Sequence, residues 1–120
     1  MDDKKTVKQL KELVKTFCEE REWDQYHNAK DLAIGIITES SELLEHFRFK
    51  SEEEIDDFFH NKGKKEEISE ELADVLFFIL RFAEKYHIDL SEELKKKLDK
   101  NTEKYPIEKS RGRNKKYNEL

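Results

Sequence analysis

Between Glu66 and Tyr86 the apolar residues Ile68, Leu72, Val75, Ile79, Phe82 and Tyr86 recur in steps of three and four. That is the period of an α-helix with one face against a core, and it does not fit the two-residue alternation of a half-buried strand. The same stretch, EEISEELADVLFFILRFAEKY, carries Glu71 and Asp74 within its apolar part. Each residue advances about 100° around a helix, so positions three apart lie about 60° from one another and share a face. The two carboxylates border the stripe that packs. An unpaired ion buried there costs several kcal/mol, so the placement implies a cation.

The remainder also reads as helix. Three glycines and one proline in 120 residues are too few turn signals for a β-rich fold. A first helix is expected over residues 4–22, with Val7, Leu10, Leu13, Val14, Phe17 and Cys18 as its apolar stripe. The segment WDQYHN then brings Trp23, Tyr26 and His27 together. These rings can line a pocket for a planar ligand. Alternatively, Trp23 and Tyr26 close the end of a helical core and His27 is exposed. Asn28 suits the N-cap of a second helix from Ala29 to about Phe47, striped by Leu32, Ile36, Leu43 and Phe47 and widened by Ala33, Ile37 and Leu44. Gly35 inside it costs about 1 kcal/mol relative to alanine and is easier to accept where another helix comes close.

Ser51 followed by Glu54 fits a capping box, which predicts a short helix through Phe59 docked by Ile55, Phe58 and Phe59. Asn61 to Lys65, NKGKK, reads as a turn and a mobile loop. After the third long helix, ending near His87, Ser91 is the expected cap of a fourth that Pro106 stops beyond Tyr105. The basic stretch IEKSRGRNKKYNEL is expected on the surface or disordered. This gives a helical domain over residues 1–106 and a tail over 107–120.

Composition bounds the setting. The chain is 44% charged and 35% hydrophobic, with a mean hydropathy of −1.03. A monomer of this kind has a thin core, and homo-oligomerisation is the expected way to bury more apolar surface. A net charge of −5 gives no nucleic-acid footprint. The single Cys18 excludes an internal disulfide, fits a reducing compartment and, beside Val14 and Phe17, reads as a packed thiol. MDDKKTVKQ has no apolar signal core, and runs such as Val75 to Leu80 fall far short of the about 20 residues a membrane span needs. A soluble, cytoplasmic chain with no membrane partner is expected.

Acids three residues apart occur eight times, and in so charged a chain most are solvated faces. Only Glu39/Glu42 and Glu71/Asp74 sit among core positions of helices long enough to pack together. If those helices run antiparallel, four carboxylates converge, and their repulsion must be relieved by protonation or a divalent cation. All are hard oxygen donors, with only His46 one turn beyond Glu42, which favours Mg²⁺ or Mn²⁺ over Zn²⁺. Magnesium commonly completes its shell with phosphate oxygens, so a phosphate-bearing substrate follows. The competing reading is a set of salt bridges to lysine or arginine, for which Arg81 is the only base near the second pair on its own helix.

Glu39-Ser40-Ser41-Glu42 followed by Glu71-Leu72-Ala73-Asp74 resembles the ExxE…ExxD signature of the MazG-like all-α nucleotide pyrophosphohydrolases. Within that superfamily the stretches EREWDQYH, ESSELLEHFRF, EELADVLFFILRFAEK, IDLSEEL, KLDKNTEKYP and KKYNEL are similar, in the same order, to the dCTP pyrophosphatase group. Together they span roughly residues 17 to 120. The resemblance implies an all-α, four-helix fold with a short extra helix and a basic tail, assembled into dimers or tetramers. It implies Mg²⁺-dependent hydrolysis of a nucleoside triphosphate, dCTP-like or a modified pyrimidine, to monophosphate and pyrophosphate.

By the same resemblance Glu39, Glu42, Glu71 and Asp74 are the metal ligands, with Glu39 or Glu42 activating water. Lys97 and Asn101 contact phosphate or sugar, with Lys104 and Tyr105 next to them, and Trp23 packs on the base. Phe49 stands where the dCTP-preferring relatives carry tryptophan, and Phe78 where they carry tyrosine. Phe78 lacks the phenol's hydrogen bond, which bears on substrate preference. Lys97, with Arg111, Arg113 and Lys115, is the expected phosphate-binding set. Three other functions compete: phosphoribosyl-ATP pyrophosphohydrolase on a related scaffold, a non-catalytic helical interaction protein whose carboxylates are salt-bridged, and, ranked last, a simple divalent-ion buffer, since acids on rigid helices resemble no EF-hand loop.

Overall fold

A computed structural model of the chain describes residues 1–120. It is built from six helices: α1 (Val7–Glu20), α2 (Ala29–Glu45), α3 (Glu52–Phe58), α4 (Lys62–Lys85), α5 (Leu90–Lys104) and α6 (Ile107–Ser110). Single 3-10 turns occupy Asp24–Tyr26 and Tyr117–Glu119, and there are no strands. The all-α expectation is met.

Each of the first five helices begins where a side-chain oxygen accepts one of the orphan N–H groups of the first turn: Thr6, Asn28, Ser51, Asn61 and Asp89. The capping box of Ser51 and Glu54 forms as its pattern predicts. Two starts differ from expectation. NKGKK is the first turn of α4 rather than a loop, because Asn61 Oδ1 accepts the Lys64 N–H at 2.9 Å. That cap is worth about 1 kcal/mol and offsets the similar cost of Gly63 in the helix. Asp89 rather than Ser91 caps α5, accepting from the Glu92 N–H at 2.9 Å.

The chain forms two compact units, Met1–His87 and Ile88–Leu120. In the first, α4 is the spine against which α1 and α2 pack. Gly35 faces Phe78, while His46 at the far end of α2 meets Lys64 at the start of α4, so the two helices run antiparallel. Phe17 of α1 meets Phe77 edge-on, ring centroids 5.9 Å apart. Cys18, Leu32, Ile68, Leu80 and Ala83 are the buried apolar residues, the packed thiol among them. Each large aliphatic side chain removed from water contributes about 1.5–3 kcal/mol. Phe47, at the end of α2, receives Phe58 and Phe59, both at 6.4 Å between ring centroids, and this docks α3.

The apolar stripe of α4 is only partly buried. Leu72 is 58% exposed and Tyr86 41%, although both fall on the expected stripe. Neither α1 nor α2 covers the side of α4 that carries Leu72 and Leu76, and an apolar groove of about 380 Å³ lies there among Ser69, Val75 and Ile79. In the second unit the tail is ordered. Tyr117 packs edge-on to Tyr105 at 6.2 Å, and Lys104 Nζ lies 4.9 Å from the Tyr117 ring centroid. No helix is long and apolar enough to cross a membrane.

Candidate active site

On the facing sides of α2 and α4, carboxylate oxygens of Glu39, Glu42 and Glu71 lie within 4.8 Å of one another. Antiparallel packing makes this meeting, since α2 presents its acids one turn apart and α4 answers at the same level. Glu42 is exposed, while Glu39 and Glu71 are half-buried. Three carboxylates this close repel one another, which protonation or a divalent cation relieves. Burial first, then the neighbouring Glu42 carboxyl and the charge of Asp74, hold the Glu39 and Glu71 carboxyls above their ordinary range. Asp74 is exposed and offers no oxygen to the three-residue group, but its charge reaches both acids.

Glu71 Oε2 is buried and has no hydrogen-bond partner. Its other oxygen, Oε1, lies 3.9 Å from His46 Nε2. Lys64 Nζ sits 2.9 Å from His46 Nδ1. An ammonium can only donate, so Nδ1 accepts and a neutral His46 carries its N–H on Nε2, towards Glu71. An orphaned oxygen, mutually repelling carboxylates and an all-oxygen donor set fit a hard divalent cation, with Glu39, Glu42 and Glu71 as the residues able to hold it.

The salt-bridge alternative has little to stand on here. Arg81 is buried, and its guanidinium turns away from the cluster, to Asp24, to Glu84 at 2.6 Å and to His27 Nδ1 at 2.9 Å. Lys64 reaches the acids only through His46. Neither contact has a local sequence signal, because Asp24 and Arg81 are 57 residues apart and His46 and Lys64 18. The one available hint was His46 at i+4 from Glu42, which puts it on the same face.

The expected base-contacting residues Trp23, Phe49 and Phe78 lie in the same unit as the cluster. Trp23, 37% exposed, packs edge-on against Phe17 at 5.6 Å; Phe17 meets Phe77, and Phe77 meets Phe78 at 5.3 Å. This row of rings links Trp23 to Phe78. Tyr26 is 64% exposed and closes no core, while His27 is half-buried rather than exposed. Burial first, then the Arg81 and Lys85 cations, push the His27 imidazole below its ordinary value, as accepting the Arg81 N–H requires. Phe78 lies against Gly35: a Cβ there would stand 2.5 Å from the ring, which accounts for a glycine inside α2. Phe49 is 90% exposed at φ +62°, with the Arg48 guanidinium 4.7 Å over its ring. Lys97 and Asn101 share a face of α5 in the second unit, followed by Lys104 and Tyr105, with Arg111, Arg113 and Lys115 exposed in the tail.

Residues 34–120 match the MazG-like family model. The chain is 33% identical over 115 residues to dCTP pyrophosphatase 1 of Rattus norvegicus and 30% to that of Homo sapiens, covering 96% of this chain and 68% of each relative. Its fold is similar to the crystal structure of a pyrophosphatase from Archaeoglobus fulgidus, with a TM-score of 0.77 and 36% identity over 83% of this chain and 92% of that one. On sequence and fold alike, the chain belongs to the MazG-like family, close to the dCTP pyrophosphatases.

Proposed function

We propose that this pyrophosphatase-family hydrolase is a Mg²⁺-dependent nucleotide pyrophosphohydrolase that cleaves a nucleoside or deoxynucleoside triphosphate, with a dCTP-like or modified pyrimidine preferred, to the monophosphate and pyrophosphate. The observation that carries the reading is the convergence of Glu39, Glu42 and Glu71 around an orphaned buried oxygen. Asp74, one turn along α4, completes the donor set in the resemblance. Mg²⁺, or Mn²⁺ in its place, would supply charge neutralisation for the triphosphate and its leaving group.

The residues do the rest. Glu39 or Glu42 takes a proton from water as it attacks a phosphorus of the α–β bridge, the bond from that phosphorus to the bridging oxygen breaks, and the electron pair leaves with the bridging oxygen on the other product. His46, fixed by Lys64, steadies Glu71. Trp23 and Phe49 offer rings on which a base stacks, each worth about 1–3 kcal/mol by analogy with other base–aromatic contacts. Phe78 provides a ring without a hydroxyl, and this bears on which pyrimidine is preferred. Lys97 and Asn101, with the tail bases, bind phosphate and sugar, so the catalytic domain extends through α5 to residue 106 with the tail beyond. That assignment rests on the resemblance. The exposed apolar face of α4 supports assembly into a dimer or tetramer.

A screen of canonical and modified nucleoside triphosphates, following pyrophosphate release with and without Mg²⁺, tests the activity and names the base. Glu42→Gln and Asp74→Asn should each abolish Mg²⁺-dependent release while the circular dichroism stays helical. Near-normal turnover in both variants would overturn the site.

A further inference from the structure

Arg81 is the largest fully buried side chain in the molecule, and it is charged. A guanidinium out of water is tolerated only where its donors are matched, and here all three of its nitrogens are. Nε donates to His27 Nδ1 at 2.9 Å, one terminal nitrogen to Glu84 at 2.6 Å, and the other to Asp24. Lys85, one turn further along α4, donates to the Asp24 carbonyl oxygen at 2.7 Å. Two of the three residues Arg81 holds lie in the short connection between α1 and α2, and they bracket its 3-10 turn Asp24–Tyr26. That turn has no side-chain cap of its own. Trp23 immediately precedes it, edge-on to His27 at 6.1 Å.

We propose that Arg81 is a positioning residue for the nucleobase-binding side of the site: with Asp24 and His27 it bolts the Trp23 connection to α4 and so fixes the indole where a base can meet it. The proposal rests on the reading of Trp23 as a base contact, and its test separates the two. A segment of irregular backbone lacking a cap samples many conformations. Trp23, being 37% exposed, is only partly held by Phe17. The bolt removes that freedom before substrate arrives, so the ordering cost is not charged to binding. Arg81 stands three residues beyond Phe78 on α4, and one helix therefore carries both the bolt and the ring expected to set base preference. Lysine cannot replace it, since one ammonium cannot match the three separated acceptors of the fork.

Asp24 is the half of the contact that can be altered safely, being 58% exposed. Trp23 is the only tryptophan in the chain, so intrinsic fluorescence reports this connection alone. In Asp24→Ala, with dCTP and Mg²⁺, KM should rise about tenfold, the loss of one charge-assisted hydrogen bond, while kcat stays within about twofold. The Trp23 emission should shift towards the solvent-exposed maximum, and Asp24→Asn, which keeps an acceptor oxygen, should recover part of both effects. A lower Tm with KM and Trp23 emission unchanged would make the network merely structural and overturn the proposal. Trp23→Leu checks the other reading. If its KM matches wild type, Trp23 touches no base; the Asp24→Ala emission shift still reports whether Arg81 holds the connection.

Discussion

At position 35 the absence of a side chain is a packing requirement. The Phe78 ring occupies the space a Cβ would take, at 2.5 Å. Alanine gains about 1 kcal/mol in helix propensity but must push the ring aside, and overpacking of this kind costs about 1–3 kcal/mol. Clash outweighs propensity. Gly35→Ala is therefore expected to destabilise by about 1 kcal/mol in urea unfolding, and adding Phe78→Leu should relieve it, so that the double variant is more stable than the sum of the singles. Additive losses would mean that the two side chains do not touch. Phe49 is the opposite case. Its φ of +62° is uncommon for a bulky residue, and 90% of it faces solvent, so it is held in an unfavourable conformation for no gain in core burial.

Between elements, the contact of Arg81 with Asp24 joins the α1–α2 connection to α4. The hydrogen bond from Arg81 is the main cause that holds the Asp24 carboxyl below its ordinary range. A carboxyl depressed in the folded state adds stability above its unfolded value of about 3.9, and that contribution disappears as pH falls through the folded value. The stability difference between wild type and Asp24→Asn should accordingly be constant from neutral pH to about pH 5 and shrink below about pH 4. Urea unfolding at three pH values reads it. A difference that persists undiminished at pH 2 would assign the effect to something other than this ionised carboxylate. Element boundaries obey the same local chemistry. α4 starts at Lys62, six residues before Ile68 opens the apolar periodicity, because a cap at Asn61 decides the start and hydrophobic spacing does not report caps.

For the whole molecule, the buried apolar set of Cys18, Leu32, Ile68, Leu80 and Ala83 is small, while Ile34, Ile37, Leu44, Leu72 and Leu76 remain at 44–69% exposure. Large apolar side chains left so exposed suit a second copy, whose stable interfaces bury about 1,200–2,000 Å² in total. Sedimentation equilibrium should give a dimer or tetramer at micromolar concentration, and Leu76→Glu should shift it to monomer with helicity retained. A wild-type protein that sediments as a monomer at high concentration would remove the oligomer from the functional reading.

Much of this was legible in the chain itself. A period of 3.6 fixed the helices, because burying one face of each is the only way so apolar a stripe leaves water. ExxE on one long helix and ExxD on the next marked the acids, because a carboxylate among core positions is costly without a partner. Cap residues announced themselves at Asn28 and Ser51 for the same local reason. What only tertiary structure decided lies across long sequence separations. His46 stands between Lys64 and Glu71, Arg81 belongs to Asp24 and His27 rather than to the acids, and Phe78 takes the space left by Gly35. Periodicity says which face of a helix is buried. It cannot say which residue of another helix stands opposite, because that depends on how α2 and α4 slide and turn against each other until their side chains fill the space between them.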